Sequence, residues 1–216
     1  MIAVIKGDII HSRKVQDPEL WLVPLKALLN QWGKTPQDWE IIWGDSFQLI
    51  LKQPMEAVEK AIWIKSLIKS LRIDNKNRSK GMLDVRMAIG IGEERYAAHR
   101  VSESDGKAFI FAGEKFENLK KEKNTLAVKT TSNDFDDEMN LYLKLTNNIM
   151  NNWSISSAEL AKITLQFPKI TQHEIGNILK IKQNSVSSRY KRAQIEEILL
   201  VENMYRKKIT KLLIND

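Results

Sequence analysis

Residues Ile41–Leu51, IIWGDSFQLIL, set a Gly-Asp pair between two apolar runs, and the reading of that pair decides the fold. Glu40–Trp43 and Phe47–Leu51 read as strands meeting at Gly44-Asp45, a tight hairpin in the less common Gly-Asp order. Upstream, Ile2–Lys6 reads as a short buried strand. A helix follows over Glu19–Trp32, with Leu22, Leu25, Leu28, Leu29 and Trp32 at helical spacing. Pro24 lies beyond its first turn and is expected to kink it or delay its start. Downstream come an amphipathic helix over Met55–Leu71, a polar basic loop over Arg72–Gly81 and a strand over Leu83–Ile91. A helix through Phe109–Lys121 and a strand in TLAVKT complete this half. The order strand, helix, hairpin, helix, strand, helix, strand predicts an α+β sheet layered with helices on one side.

The acidic stretch TSNDFDDEMN, Thr131–Asn140, reads as a junction, and Glu138–Asn152 as a connecting helix. From Ser156 onward the pattern is helical throughout. The division expected is a sheet domain over 1–132, a linker helix over 133–153 and an all-α domain over 154–216. The 216 residues, 43% of them hydrophobic, suffice for a real core, and the absence of cysteine excludes disulfides, thiolate metal sites and a cysteine nucleophile. With no leader pattern and no apolar run of about 20 residues, the expectation is a soluble cytoplasmic protein with no membrane partner. The net charge of +7 favours polyanions.

The most specific local signal is ITQHEIGNILKIKQNSVSSRYKRAQI, Ile170–Ile195. Thr171 and Glu174 form a capping-box pattern opening a helix with Ile175, Ile178 and Leu179 inward. After a short turn plugged by Ile181, a second helix faces Val186 and Tyr190 to the core. Gln183, Asn184, Ser185, Ser187, Ser188, Arg189 and Arg192 remain outside. Short amides and hydroxyls at a helix start, with arginines further along, suit base edges and flanking phosphates in a major groove. From Thr171 onward nine basic residues face five acidic ones, the right sign for DNA. This stretch resembles the helix-turn-helix of bacterial transcription regulators, with Gly176 at the small position. Lys180 stands where a turn glycine is usual, and Lys182 where a capping serine is. No strand pair follows, so no wing is expected. The last helix offers Ile198, Leu199, Tyr205, Ile209 and Leu212 for packing on the domain or on a second copy, a homodimer.

In the front half, Asp8 ends the first strand and Asp45 lies at the hairpin. Carboxylates so placed converge on one edge of the sheet, where they hold Mg²⁺ or Mn²⁺ with water and a triphosphate completing the shell. Arg13 is placed to meet a phosphate and Ser46 sits beside Asp45. Separate turn duty for each aspartate is the alternative. The tryptophans at 21, 32, 39, 43 and 63 read as largely half-buried.

The motifs VIKGDIIHSR, IIWGDSFQLIL and VRMAIGIG resemble those of class III nucleotidyl cyclases and, more distantly, of diguanylate cyclases. That resemblance implies a ferredoxin-like, nucleotidyl-cyclase-type sheet with Asp8 and Asp45 as metal ligands. At the positions where those cyclases place an Asn and an Arg for the transition state, this chain has Ile110 and Glu114. Ser46 replaces the acid of the diguanylate cyclase hairpin. The resemblance therefore implies a degenerate domain and assigns no catalytic residue. Taken end to end, GDIIHSR, WGDSFQL, DVRMAIGIG, Ser104-Asp105-Gly106 and QNSVS resemble the SatD family of bacterial proteins. The expectation is a DNA-binding transcriptional regulator whose sheet domain senses a nucleotide with a divalent metal. The alternatives are a metal-dependent nucleotide-processing enzyme using Asp8 and Asp45, and an adaptor that binds only proteins.

Overall fold

A computed structural model describes residues 1–73 and 83–215. The chain is α+β: a five-stranded mixed sheet with helices, followed by a run of helices. Its elements are β1 (Ile2–Ile10), α1 (Glu19–Leu29), β2 (Trp39–Ile42), β3 (Ser46–Leu51), α2 (Ala57–Ser70), β4 (Asp84–Gly92), α3 (Lys107–Glu122), β5 (Leu126–Lys129), α4 (Asn133–Asn151), α5 (Ile155–Gln166), α6 (Gln172–Leu179), α7 (Gln183–Ala193) and α8 (Ile195–Asn215). The sheet order is β2-β3-β1-β4-β5, antiparallel except for the β4–β5 pair. The first four strands with α1 and α2 form a β-α-β-β-α-β unit, to which α3 adds β5 in parallel. The basic loop expected over Arg72–Gly81 lies, from residue 74, outside the described residues.

Alternation along β1 and β4 sorts side chains between two faces. Ala3, Ile5, Leu49, Met87 and Ile89 join residues of α1, α2 and the C-terminal helices in one core. Ile2, Val4 and Ile50 face the other way, against Ala108 and Ala112 of α3. The expectation of helices on one side is therefore corrected: α3 crosses the opposite face. The enabling feature is a flat track on β4, where Ala88, Gly90 and Gly92 alternate with Met87, Ile89 and Ile91. A Cβ at Gly90 would lie 2.1 Å from the Ala108 carbonyl oxygen and 2.3 Å from the Ala112 nitrogen.

Strand β1 extends to Ile10, well beyond Lys6, and α1 runs from Glu19 through Pro24 with no delayed start. It ends at Leu29, short of Trp32. The acidic stretch read as a junction is instead the start of α4, whose N-cap Ser132 accepts a hydrogen bond from the Phe135 amide. Its polar residues face the outer edge of β5. The Asn140 side-chain amide both donates to the Val128 carbonyl (2.9 Å) and accepts from the Val128 N–H (2.8 Å). Asn147 donates to the Leu126 carbonyl at 3.0 Å, and Asp136 accepts from the Thr130 N–H at 2.9 Å.

Beneath α4 lies a buried charge cluster. Lys65 of α2 donates to Asp84 at 2.7 Å and to the Thr125 hydroxyl at 3.2 Å. Lys69 reaches the other Asp84 oxygen at 3.3 Å and the Asn151 carbonyl at 3.1 Å. Burial pushes the Lys65 ammonium down to about 8, with the Asp84 charge opposing that shift. In Asp84 the same lysines outweigh burial, and its carboxyl stays below the ordinary value.

Helix α8 buries Ile198, Tyr205 and Ile209 in the core shared with the sheet, and the Tyr205 hydroxyl donates to the Pro54 carbonyl at 2.7 Å. The apolar stripe that offered a surface for a second copy is thus occupied within the chain.

Candidate functional site

Asp8 sits mid-sheet, opposite Ser46 of β3 on one side and Arg86 of β4 on the other. Its Oδ2 lies 3.7 Å from the Arg86 guanidinium. Its Oδ1 is buried with no hydrogen-bond partner. Burial raises the Asp8 carboxyl above its ordinary value; Arg86 and Lys120 oppose this, while the nearby charges of Asp45 and Glu117 add to it. The two aspartates of the sequence motif therefore lie within electrostatic reach of each other.

The hairpin turns on Trp43 and Gly44, both at positive φ (50° and 87°), rather than on Gly44-Asp45. Asp45 follows the turn and holds the segment after β1. Its main-chain oxygen accepts the Ile9 N–H at 3.0 Å, and its Oδ2 accepts the Ser12 hydroxyl at 2.7 Å. Turn duty and proximity to Asp8 thus coexist in one residue. Arg13 is exposed and makes no ion pair among the described residues, whereas Ser46 faces a groove on the α3 side of the sheet.

That groove has a volume of about 630 Å³. Its floor is Lys6, Ser46 and Gln48, its wall is Phe116, Glu117 and Lys120 of α3, and Trp43 stands at its mouth, 93% exposed. Glu40, buried beside it, is ion-paired with Arg100 and accepts the Ser102 hydroxyl at 2.7 Å. These bonds hold the Glu40 carboxyl below its ordinary value although burial acts the other way. Of the five tryptophans expected to be half-buried, Trp21 and Trp39 are buried, Trp32 and Trp63 are intermediate, and Trp43 is out in solvent. Sequence reasoning missed Lys6, Gln48 and Lys120; the lysine inside the apolar run AVIKGD stands out locally, but nothing in the sequence joins it to Gln48 of β3 or Lys120 of α3. Ile110 and Glu114 lie off this groove, Glu114 being paired with Lys129 at 2.7 Å.

Two carboxylates, one with a free buried oxygen, match the minimum that Mg²⁺ takes from a protein when water and phosphate fill the remaining positions. Among the described residues no group of three or more His, Cys, Asp or Glu could hold a metal. Asp8 keeps one oxygen unengaged, while Asp45 Oδ2 already accepts the Ser12 hydroxyl.

At the other end, α5, α6 and α7 pack around Ile175, Val186 and Ala193, with the Trp153 indole donating to the Ala193 carbonyl at 2.9 Å. The capping box is formed: Glu174 N–H donates to Thr171 Oγ1 at 3.2 Å and Thr171 N–H donates to Glu174 Oε2 at 2.8 Å. Lys180 takes the left-handed conformation at φ 53°, as the missing glycine implied, and Ile181 N–H donates to the Gly176 carbonyl at 2.9 Å. A Cβ on Gly176 would come within 2.9 Å of the Ile181 oxygen, which explains the small residue. Ile178 departs from expectation: it is 52% exposed and borders an apolar groove with Phe167 and Ile170 instead of joining the core.

Gln183, Asn184, Ser185, Ser188 and Arg192 are exposed on α7, and Ser187 and Arg189 partly so. The Ser188 hydroxyl donates back to the Asn184 carbonyl at 2.9 Å. Lys180, Lys182, Arg189, Lys191 and Arg192 enter no ion pair among the described residues. Arg206 and Lys208, counted with them on charge alone, are engaged with Glu59, Glu202 and Glu138 instead.

No family model matches this chain, and no curated protein matches it. Among the described residues no helix is long and apolar enough to cross a membrane.

Proposed function

We propose that this protein, SatD-like in its motifs, is a transcriptional regulator that binds double-stranded DNA through α6 and α7, with the sheet groove sensing a nucleotide and a divalent cation. The observation that carries this reading is the set of five cations around α7 without anionic partners among the described residues, beside outward Gln183, Asn184 and Ser185. Unneutralised cations flanking short polar groups suit phosphates on either side of a base-reading helix. The test is titration of labelled genomic fragments at 50 and 200 mM salt. Affinity falls steeply with salt, and Arg189→Ala with Arg192→Ala flattens the log–log slope by about 0.9 for each phosphate no longer neutralised. Affinity that ignores salt, or no affinity for any fragment, defeats the reading.

A second reading, a metal-dependent enzyme acting on nucleotides, is favoured by the unpartnered Asp8 oxygen near Asp45. In it Asp8 and Asp45 hold the cation, Arg13 and Ser46 border the phosphates, and the bound metal supplies charge neutralisation at the phosphates. Mn²⁺ with ATP or GTP at about 100-fold excess over Kd raises the melting temperature by about 5 °C, and Asp8→Asn removes the rise. Melting curves unmoved by every triphosphate tested count against both the enzyme and the metal-assisted sensor.

A further inference from the structure

We infer that the groove on the α3 face seats a di- or triphosphate chain between Lys6 and Lys120, independently of any metal. This deepens the sensing role proposed above and names the chemistry sensed.

Lys6 lies in the middle of β1, paired across strands with Gln48 and Ala88, on the face that α1 and α2 leave uncovered. It is half-buried and has no carboxylate partner among the described residues; its ammonium instead stands 5.7 Å from the centre of the Phe116 ring. Lys120 approaches the same ring at 5.1 Å. Both nitrogens are tethered to one aromatic side chain, which a phosphate chain lying along the groove can span.

Of the carboxylates near the two lysines, Asp8 faces Arg86 at 3.7 Å and lies within electrostatic reach of Lys120. Arg100 and Ser102 satisfy Glu40. Glu117 pairs with Lys120 at 3.6 Å, but with its side chain 65% exposed that pairing is weak and readily exchanged. Lys6 is left half-buried with no carboxylate partner among the described residues, so an incoming anion meets an uncompensated positive charge. A lysine pair is a competent point-charge binder of phosphate. The groove's volume of about 630 Å³ is that of a small-molecule site. Trp43 at its mouth would meet a planar group attached to the phosphates, so inorganic and organic ligands are distinguishable.

The experiment is calorimetric titration of the full chain in EDTA with inorganic pyrophosphate, inorganic triphosphate, ATP and GTP, with tryptophan emission recorded in parallel. Triphosphate or nucleotide binds, and Lys6→Met and Lys120→Gln each weaken binding about tenfold or more. Tighter binding of a nucleotide than of triphosphate, with an emission change lost in Trp43→Phe, identifies an organic ligand. Equal binding identifies inorganic polyphosphate. Lys120 is exposed on α3, so Lys120→Gln decides the matter if Lys6→Met does not fold. Absence of binding by all four probes, or binding undiminished in both lysine variants, overturns the inference. Phosphate binding that leaves DNA affinity unchanged keeps the seat and removes only its role as a sensor for DNA binding.

Discussion

Asp84→Ala is expected to destabilise the protein by about 3–5 kcal/mol, because it strips the carboxylate from two buried lysines at once. The loss falls where α2, the start of β4 and the C-terminal turn of α4 meet. Lys65→Met removes one ammonium while Lys69 still pairs with Asp84, and this variant is expected to be at least as stable as the parent at pH 7. The pH dependence follows from the lowered Lys65 value. Between about 8 and the ordinary 10.5, the unfolded chain holds a proton that folded Lys65 has released. Stability attributable to Lys65 therefore rises with pH across that window, and any advantage of Lys65→Met narrows there. Urea unfolding at pH 7 and 9.5 measures both effects. An Asp84→Ala cost below about 1 kcal/mol, or a Lys65→Met advantage that grows with pH, contradicts the buried cluster as described.

The second large effect is at Gly90. A single methyl there meets main-chain atoms of α3, which unlike side-chain tips cannot rotate away, so Gly90→Ala must push the helix off the sheet. A cost of about 3 kcal/mol is expected. Because Phe116 and Lys120 ride on α3, phosphate binding in the groove weakens in the same variant. Gly113→Ala, on the same helix with nothing within 4 Å of the new Cβ, is the control and is expected to gain up to about 1 kcal/mol from helix propensity. A urea midpoint for Gly90→Ala equal to the parent's means α3 does not sit this close.

The same track shows what was legible. Alternation along β4 and the helix-strand order predicted the α+β class, and the capping box at Thr171 with the motif after it located α6 and α7. Which face α3 would take was written in Ala88, Gly90 and Gly92, but only as a contrast between the two faces of one strand, and that contrast has no meaning until the strand's neighbours are known. Lys65 and Lys69 fall on the same helical stripe as Val58 and Ile62, which marks them as inward, yet their partner Asp84 is distant in sequence. The acidic start of α4 imitates a linker because its polar groups serve a strand edge and not solvent. Asp8 and Asp45 were paired in the sequence by taking Asp8 as a strand end and Asp45 as the hairpin, whereas β1 runs on to Ile10 and Asp8 sits mid-sheet; Lys6 was not readable, since a lone lysine in a strand says nothing of which face it takes or what lies opposite.

Along the rim of β5 every second residue that would offer its peptide group to a stranger is already engaged: Leu126 by Asn147, Val128 by Asn140 and Thr130 by Asp136. Helix α4 thereby imitates a sixth strand using side chains alone. A chain approaching this border finds its pairing groups already taken, so the β5 edge carries a built-in guard against edge-to-edge polymerisation.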